Sequence, residues 1–287
     1  MKILIYIILV FLNVTTIISQ NLKVVFPFDI KDYNSKFISL IQTNGKVITA
    51  GTFGGKYGFD SLIISRFHRN GTPDYSFNQN VKIKIGKGAV ELREAILTTN
   101  GDIIGIGSSF DEDELLLVKF DSLGKLDENF GYNGISKTIC TNQRGAFGIS
   151  FDIDSNGNIV VTGWCDGVKS LLVARFKSNG IIDSTFGNNG LLVVDSELNT
   201  ISFEGVSIKC LNNGQIVVLG KSFIGDELSE DFKSGYFVVR LNNKGDINKN
   251  YGVNGLLEIK TNNFVINASA KEVLYSYLLD CKIAFNE

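Results

Sequence analysis

The feature that most constrains the fold of this sequence is a turn glycine that recurs at nearly constant spacing. Gly45, Gly101, Gly157 and Gly214 each follow an asparagine and lie 56, 56 and 57 residues apart. One residue after each of them an apolar run begins that ends in a second glycine. Self-similarity at a fixed period is typical of repeat architectures. The chain is therefore predicted to be built from repeats of about 56 residues.

Each repeat is predicted to hold four short strands, A to D. Apolar runs on both sides of Asn-Gly indicate a hairpin of strands A and B, and a type I′ turn is expected because both residues tolerate a positive φ. Strand C is predicted at 62–67, 115–120, 171–176 and 236–241, and strand D at 81–85, 134–139, 190–194 and 255–259. This pattern predicts an all-β fold, a β-propeller of four-stranded blades.

The repeats account for four full blades and part of a fifth. A decayed copy of strands A and B occupies 273–286, and 22–26 resembles a lone strand of the D type. Residues 20–287 are thus predicted to form a single propeller domain. It is either a five-bladed ring with an incomplete closing blade or an open ring that belongs to a longer gene product, and an open ring would leave strand edges unpaired.

Three side chains recur around the turn between strands C and D. The basic residues, predicted to be solvated on the strand face, are Arg66, Lys119, Arg175 and Arg240. The polar residues, predicted to form Asx turns with nearby N–H groups, are Asp74, Asp127, Asp183 and Asn248. The aromatic residues, predicted to fill the core between neighbouring sheets, are Phe77, Phe130, Phe186 and Tyr251. Their repetition favours structural roles over catalysis.

The first 19 residues are predicted to be a signal peptide. Met1 and Lys2 precede an apolar run, and cleavage is expected near Gln20. The alternative, a membrane anchor, is disfavoured because Asn13 and Thr15 interrupt a run that would need about 20 apolar residues to span a bilayer. A secreted or cell-surface location is expected, with no membrane span after cleavage.

Charge and cysteine content narrow the function classes. The formal net charge is −2 and no basic stripe is present, which argues against nucleic acid as a partner. Of the four cysteines, Cys140 and Cys165 share one repeat and are candidates either to pair or to stay free. Cys210 is predicted to be a buried thiol.

The sequence offers few side chains of the kinds that form common catalytic or metal sites. His68 is the single histidine, so neither a Ser-His-Asp triad nor a zinc site can be assembled from the usual ligands. The stretch containing Asp152, Asp154 and Asn156 has the alternating oxygen ligands of a calcium loop, but Gly163 stands where a bidentate Glu is needed. A hairpin turn is the favoured interpretation, with weak calcium binding as the alternative and no other cofactor expected.

Two acidic loops between strands B and C are the best-defined candidates for a binding site. Both are expected on one rim of the propeller, where their potential could attract a cation or a basic partner, although charge for solubility is the simpler explanation. Their residues are Asp111, Glu112, Asp113, Glu114, Asp226, Glu227, Glu230 and Asp231.

The combined motif resembles the Delta-60 repeat family of bacterial proteins. Its blocks are Asn-Gly-x-Ile-Val-Val-x-Gly, Leu-Leu-Val-x-Arg-Phe and Gly-x-x-Asp-x-x-Phe-Gly-x-x-Gly, best preserved at 157–190. The resemblance covers roughly 22–287 and departs at Asn78, Val81 and Asn248. It implies a propeller-like fold in secreted or surface-attached proteins, and it implies no enzymatic activity.

Taken together, these features predict a binding or interaction module at the cell surface, with a protein or a glycan as partner, rather than an enzyme. The catalytic alternative is a carboxylate-dependent glycan hydrolase or lyase, because paired Asp and Glu suffice for sugar chemistry. That alternative predicts carboxyl groups with raised pKa values in the channel. A purely structural surface repeat, without any ligand, is the third class.

Overall fold

A computed structural model describes residues 36–55, 58–78, 83–85, 89–110, 112–166, 169–195, 201–224 and 233–259. These residues form four sheets of four antiparallel strands, and strand order within each sheet follows the chain. The strands are β1 Lys36–Ile41, β2 Val47–Gly55, β3 Gly58–Phe67, β4 Ile83–Lys84, β5 Val90–Leu97, β6 Ile103–Ser109, β7 Glu114–Phe120, β8 Ile135–Thr138, β9 Ala146–Ile153, β10 Ile159–Cys165, β11 Ser170–Phe176, β12 Leu191–Val194, β13 Ile201–Cys210, β14 Ile216–Ile224, β15 Lys233–Leu241 and β16 Leu256–Ile259. A 3₁₀ turn at Thr141–Gln143 precedes β9.

Each sheet is one sequence repeat, so the predicted blade is confirmed: β1 to β4 form blade 1, β5 to β8 blade 2, β9 to β12 blade 3 and β13 to β16 blade 4. The fold is all-β, a propeller of four-stranded blades. The predicted signal peptide, the strand at 22–26 and the partial fifth repeat at 273–286 lie outside the described residues. No helix in the described ranges is long and apolar enough to cross a membrane.

The hairpin turn between strands A and B differs from the prediction. Gly157 has φ +80°, whereas Asn156 is not among the residues with positive φ, and the same holds in all four repeats. The amide of Gly157 donates to the Asp154 carbonyl, and Asp154 Oδ1 accepts from the Asn156 amide. A type I turn followed by a left-handed glycine fits this pattern, so the type I′ prediction is wrong. The Asx bond from Asp154 favours the type I geometry.

The first strands of successive blades contact one another, which places them innermost around the propeller axis. The A strands of blades 2, 3 and 4 each carry a register shift, opposite Gly107, Gly163 and Gly220 respectively. At two of these shifts a backbone carbonyl presses on the facing glycine: a Cβ at Gly107 would overlap the Glu91 carbonyl, and one at Gly163 the Phe147 carbonyl. In blades 2 and 3 the strand-end glycine is therefore explained by a β-bulge in the partner strand.

The hydrophobic core lies between the faces of neighbouring sheets. One cluster joins blades 1 and 2, for example Ile64 with Leu116; a second joins blades 2 and 3; a third joins blades 3 and 4. Phe77, Phe130 and Phe186 are at most 2% exposed within these clusters, as predicted for the recurrent aromatic residue.

The recurrent basic residues are buried in two of the four blades, where the prediction of a solvated side chain is wrong. Arg66 Nε lies 2.8 Å from Asp74 Oδ2, and Arg175 Nε lies 2.8 Å from Asp183 Oδ2. The Arg66 guanidinium also stacks on the Phe77 ring at 4.6 Å. The carboxylate and the ring together compensate the charge that burial removes from water.

The same residues tie each blade to the next. Arg66 Nη1 donates to the Ser122 carbonyl at 3.2 Å, and Arg175 Nη1 donates to the Asn243 carbonyl. The rings of Phe77, Phe130 and Phe186 each cover the turn glycine of the following blade, as Phe186 covers Gly245. We call the basic residue, its polar partner and the aromatic ring the interblade latch. A further hydrogen bond joins the backbone amide of the residue after the aromatic residue to a backbone carbonyl in the C-to-D turn of the next blade. These bonds run from Asn78 to Leu123, from Gly131 to Asn179 and from Gly187 to Lys244.

The latch carboxylates predict acid sensitivity. Hydrogen bonds from Lys46 and Ser76, opposed by burial, hold the pKa of Asp74 far below its usual value, and the pKa of Asp127 is also lowered, first by its hydrogen bond from Lys119. A lowered folded-state pKa contributes stability above the unfolded value of about 4, and this contribution is lost as the pH falls. We therefore expect the free energy of unfolding to decrease as the pH is lowered from 5 toward 2.

Denaturant titrations at several pH values check this expectation. Asp74→Asn should flatten the dependence of the unfolding free energy on pH. Glu128→Gln, which changes an exposed carboxylate, should keep the same pH dependence as the parent protein. An identical slope for the parent and Asp74→Asn would contradict the assignment.

Candidate binding surface

The strand directions separate the two ends of the propeller. Because neighbouring strands are antiparallel, the B-to-C and D-to-A connections meet at one end, which we call the loop face. The A-to-B and C-to-D turns, together with the interblade latches, lie at the opposite end, the turn face. Connecting loops at the ends of a rigid scaffold are where binding residues concentrate. The loop face is therefore the first place to look for a site.

The loop face between blades 2 and 3 is held by backbone and covalent bonds. The amide of Ala146 donates to the Asp113 carbonyl, and the amide of Asp166 donates to the Gly145 carbonyl, both within 2.9 Å. Cys140 and Cys165, whose pairing the sequence left open, form a disulfide with a Cα separation of 5.9 Å. This bond anchors the connection that enters β9 to the end of β10.

A polar cluster adjoins the disulfide. Arg144 Nη2 lies 3.0 Å from Asp195 Oδ1, and Arg144 Nη1 donates to the Ser170 hydroxyl at 3.0 Å. The Ser170 hydroxyl in turn donates to Asp195 Oδ1. The Asp195 side chain is 64% exposed, so this cluster is a solvated tie between the connection that enters β9 and the ends of β11 and β12.

The acidic loop of blade 2 is on the loop face, as predicted, and its carboxylates engage a neighbouring strand. Glu112 and Glu114 both pair with Lys137 of β8. Burial opposes ionisation of Lys137, but the hydrogen bonds that Lys137 donates to both glutamates raise its pKa. Asp113 is exposed and adopts φ +51°. The other proposed rim residues, Asp111, Asp226, Glu227, Glu230 and Asp231, lie outside the described residues.

Aromatic side chains form a row on the loop face, which sequence reasoning missed. The rings of Phe147 and Trp164 stack with centroids 4.0 Å apart and planes 14° apart, and Phe110 lies 5.9 Å from Phe147. Phe147 is buried, whereas Trp164 is half-buried and Phe110 is 39% exposed. We call Phe110, Phe147 and Trp164 the aromatic row. Its buried centre fixes two rings that solvent can reach.

Charged side chains border the aromatic row. Lys169 Nζ lies 5.1 Å from the Trp164 ring centroid and 5.7 Å from that of Phe223. It also forms a 2.6 Å ion pair with Glu204, and its side chain is 40% exposed. A cation near the ring face is attracted by the aromatic quadrupole. The surface thus offers flat apolar rings beside one donor and one acceptor.

The stack depends on cross-strand register, which explains why no sequence pattern indicated it. Trp164 lies opposite Phe147 across the pairing of β10 with β9, just beyond the bulge at Gly163. A signal was nevertheless present, because Trp164 is the one tryptophan in the chain and occupies a position held by Thr52, Ser108 and Lys221 in the other repeats. A residue that departs from the repeat consensus at a loop-facing position points to a function specific to that blade.

The calcium candidates lie on the turn face, in the hairpin of blade 3. Asp154 Oδ1 accepts from the amides of Asn156 and Asn158 at 2.9 Å. Asp152 Oδ2 accepts from the Cys210 amide at 2.9 Å and lies 2.8 Å from Lys209 Nζ. These oxygens therefore already have protein partners, and calcium binding at Asp152, Asp154 and Asn156 stays a prediction.

Metal and acid–base features are sparse in the described ranges. No group of three or more His, Cys, Asp and Glu side chains there is placed to hold a metal ion. The carboxyl groups with a displaced pKa are Asp74, Asp127 and Asp183, and in each the displacement is downward. All three belong to interblade latches. A displacement of this kind marks structural ion pairs rather than general acids, whose pKa values are raised.

Comparisons with known proteins address the fold. Residues 42–77 and 155–186 match the model of a family described as "Domain of unknown function (DUF5122) beta-propeller". Both stretches end at the aromatic residue of an interblade latch, Phe77 and Phe186. No curated protein matches the chain significantly.

Similar solved structures include an endo-1,4-beta-xylanase from Bacteroides thetaiotaomicron, with 14% identity, a TM-score of 0.42, and coverage of 82% of this chain and 75% of that one. A polysaccharide lyase, an ulvan lyase bound to -[GlcA(1-4)Rha3S]-, has 10% identity and a TM-score of 0.36 over 78% of this chain. The chain spans 54% of the length of that lyase. The four sheets and the family match together establish a β-propeller of four-stranded blades and support a propeller-repeat family.

Proposed function

We propose that this chain is a binding module of the cell surface that binds glycans on its loop face through the aromatic row. The observation that supports the proposal most directly is the stack of Trp164 on buried Phe147, which presents a ring in a fixed orientation beside Lys169 and Glu204. A preformed surface binds more tightly because little side-chain freedom is lost on association.

The chemistry of the aromatic row suits a sugar ring better than a flat polar ligand. The face of an aromatic ring is apolar and carries partial negative charge, so it attracts the C–H groups on one side of a pyranose. Lys169 can donate to sugar hydroxyls or to a carboxylate, and Glu204 can accept from hydroxyls. A few placed polar groups at the edge of an apolar surface are the usual source of orientation and specificity.

Export is part of the same proposal. The predicted signal peptide at 1–19 supports it, and so does the Cys140–Cys165 disulfide, because disulfides persist in oxidising compartments. We also propose a relationship with the Delta-60 repeat proteins, on the three motif blocks. Amino-terminal sequencing of protein secreted from cells expressing the full chain checks export: a start near Gln20 supports it, and an intact Met1 contradicts it.

A glycan array probed with the mature protein tests ligand class and site together. We expect binding to a subset of glycans, and Trp164→Ala should weaken it by at least about 10-fold, since anchoring aromatic residues at a binding site contribute about 2 kcal/mol or more. Trp164→Phe should retain part of the affinity. Tyr132→Ala is the matched control, because this aromatic residue is 83% exposed and lies on the turn face. Equal binding by the parent and Trp164→Ala would contradict the proposal.

The catalytic alternative predicts a different outcome from the same preparation. A glycan hydrolase would release reducing ends from the glycans that bind, and a lyase would release unsaturated products. Among the described residues, the carboxyl groups with a displaced pKa are latch carboxylates on the turn face, held ionised by basic partners, rather than a pair with separated pKa values. We therefore expect binding without cleavage, and turnover of a bound glycan would overturn the non-catalytic part of the proposal.

A further inference from the structure

The inner strands of blades 2 and 4 carry matching ion pairs on either side of blade 3. Glu91, Phe147 and Glu204 occupy the same register position, each opposite the residue that follows the strand-end glycine of the partner strand. Glu91 Oε2 lies 2.6 Å from Arg93 Nη2, and Glu204 Oε1 lies 2.6 Å from Lys169 Nζ. The ion pair at the tryptophan end of the aromatic row therefore has a counterpart in blade 2.

This counterpart lies near Phe110, the other exposed ring of the aromatic row. The amide of Phe110 donates to the Ala89 carbonyl at 2.8 Å, which continues the pairing of β6 with β5. Glu91 is opposite Ser108, so Glu91 and Phe110 are diagonal neighbours on one face of the sheet, within reach of aromatic and long side chains. The exposed ring of blade 2 thus has a carboxylate and a guanidinium close to it.

Arg93 is particular to blade 2. It is the extra residue of the bulge in β5, and the corresponding residues of β9 and β13 are Ile149 and Val206. A bulge can re-aim a side chain. The Arg93 side chain is 32% exposed, and its planar guanidinium has several N–H donors that suit the oxygens of a sugar. A charged residue where the other bulges are apolar indicates a function of this blade.

The two ends of the aromatic row have the same composition. The Phe110 ring lies 5.9 Å from the buried Phe147 ring, and the Trp164 ring lies 4.0 Å from it. Each end combines an aromatic ring that solvent reaches, a basic side chain and a carboxylate. An apolar surface with a few polar groups is the usual make-up of a small-molecule site. Two such sets side by side suit two units of one chain.

We propose that the aromatic row binds an internal stretch of a linear glycan, with one unit at Trp164 and a further unit at Phe110 and Arg93. This inference rests on the proposed glycan binding and names its ligand class: a chain that crosses from blade 3 to blade 2, rather than a single terminal sugar. Linked units bind more tightly than one unit alone, because the second contact forms at a high effective concentration.

Titration calorimetry of the mature protein with linear oligosaccharides of glucose, xylose, mannose and galacturonic acid, each from monosaccharide to hexasaccharide, tests the inference. For a sugar that binds, the Kd of the hexasaccharide should be at least about 10-fold below that of the monosaccharide. Phe110→Ala and Arg93→Gln should each raise the Kd of the hexasaccharide by at least about 5-fold and leave that of the monosaccharide unchanged. Trp164→Ala should weaken both.

Controls separate loss of binding from loss of folding. Leu257→Ala shortens an apolar side chain that is 43% exposed on the outermost strand of blade 4, and this variant should bind as the parent does. Thermal melts should show Phe110→Ala and Arg93→Gln folded, because both side chains are exposed.

The outcomes distinguish the chain-length inference from the glycan proposal. Equal Kd values of the parent for monosaccharide and hexasaccharide would overturn the inference while glycan binding stands. Binding of the hexasaccharide by Phe110→Ala and by Arg93→Gln as tightly as by the parent would overturn it too. Absence of binding by the parent to every glycan, in this series and on the array, would contradict glycan binding itself.

Discussion

Replacing Gly163 with alanine is expected to destabilise the propeller by at least about 3 kcal/mol. The added Cβ would overlap the Phe147 carbonyl, which the bulge in β9 brings onto Gly163. The clash is with backbone, so no rotamer change relieves it, and the bulge must shift instead. Because Phe147 stacks on Trp164, the same shift should disturb the aromatic row.

Denaturant unfolding measured alongside tryptophan fluorescence checks both effects, since Trp164 is the one tryptophan in the chain. Gly235→Ala is the matched control: this glycine lies in β15, its φ is not positive, and the nearest atom to an added Cβ is the Ser222 hydroxyl at 3.3 Å. We expect that variant to change the unfolding free energy by less than about 1 kcal/mol. Equal stability of Gly163→Ala and Gly235→Ala would show that the bulge adapts freely.

Replacing Asp183 with asparagine is expected to cost about 3 kcal/mol, because it leaves the Arg175 guanidinium buried without its counter-charge. Arg175 is 8% exposed and Asp183 is 6% exposed. Asparagine keeps the Asx turn, as Asn248 does naturally in blade 4 through its bond from the Asn250 amide. The change therefore removes the charge and puts an amide donor in place of Oδ2, which accepts from Arg175 Nε at 2.8 Å.

The Lys119–Asp127 pair of blade 2 is the comparison. Its side chains are 19% and 22% exposed, and Lys119 also pairs with Asp102. Asp127→Asn should therefore cost less than about 1 kcal/mol. Adding Arg175→Leu to Asp183→Asn should restore part of the lost stability, because no unpaired charge then remains buried. A double variant less stable than Asp183→Asn alone would show that the contacts of Arg175 with blade 4 matter more than its charge.

Much of the fold could be predicted from residue spacing because the repeat makes each local signal appear four times. The Asn-Gly pairs located the A-to-B hairpins, and the later glycines located the C-to-D turns. Phe77, Phe130 and Phe186 were expected between sheets, where they are buried. The turn type was mistaken because Asn-Gly also fits a type I turn in which the glycine alone is left-handed, and in blade 3 the Asx bond from Asp154 favours that geometry.

The candidate site could not be predicted in the same way, since it depends on which residues meet across strands and blades. Trp164 faces Phe147 only because of the register of β9 on β10, and a bulge alters that register. Arg66 looked like a solvated strand residue because its partners, Asp74 and Ser122, lie 8 and 56 residues away. A basic residue that recurs eight positions before an aspartate was the available signal for the ion pair.

Amide hydrogen exchange of the mature protein, with and without the glycan that gives the strongest array signal, tests the central claim most directly. Ligand binding slows exchange where it contacts or rigidifies the backbone. The account predicts slower exchange at 107–114 and 163–170, around Phe110 and Trp164 on the loop face. Slower exchange confined to the hairpins at 42–46, 98–102 and 154–158 would place the ligand on the turn face and contradict the account.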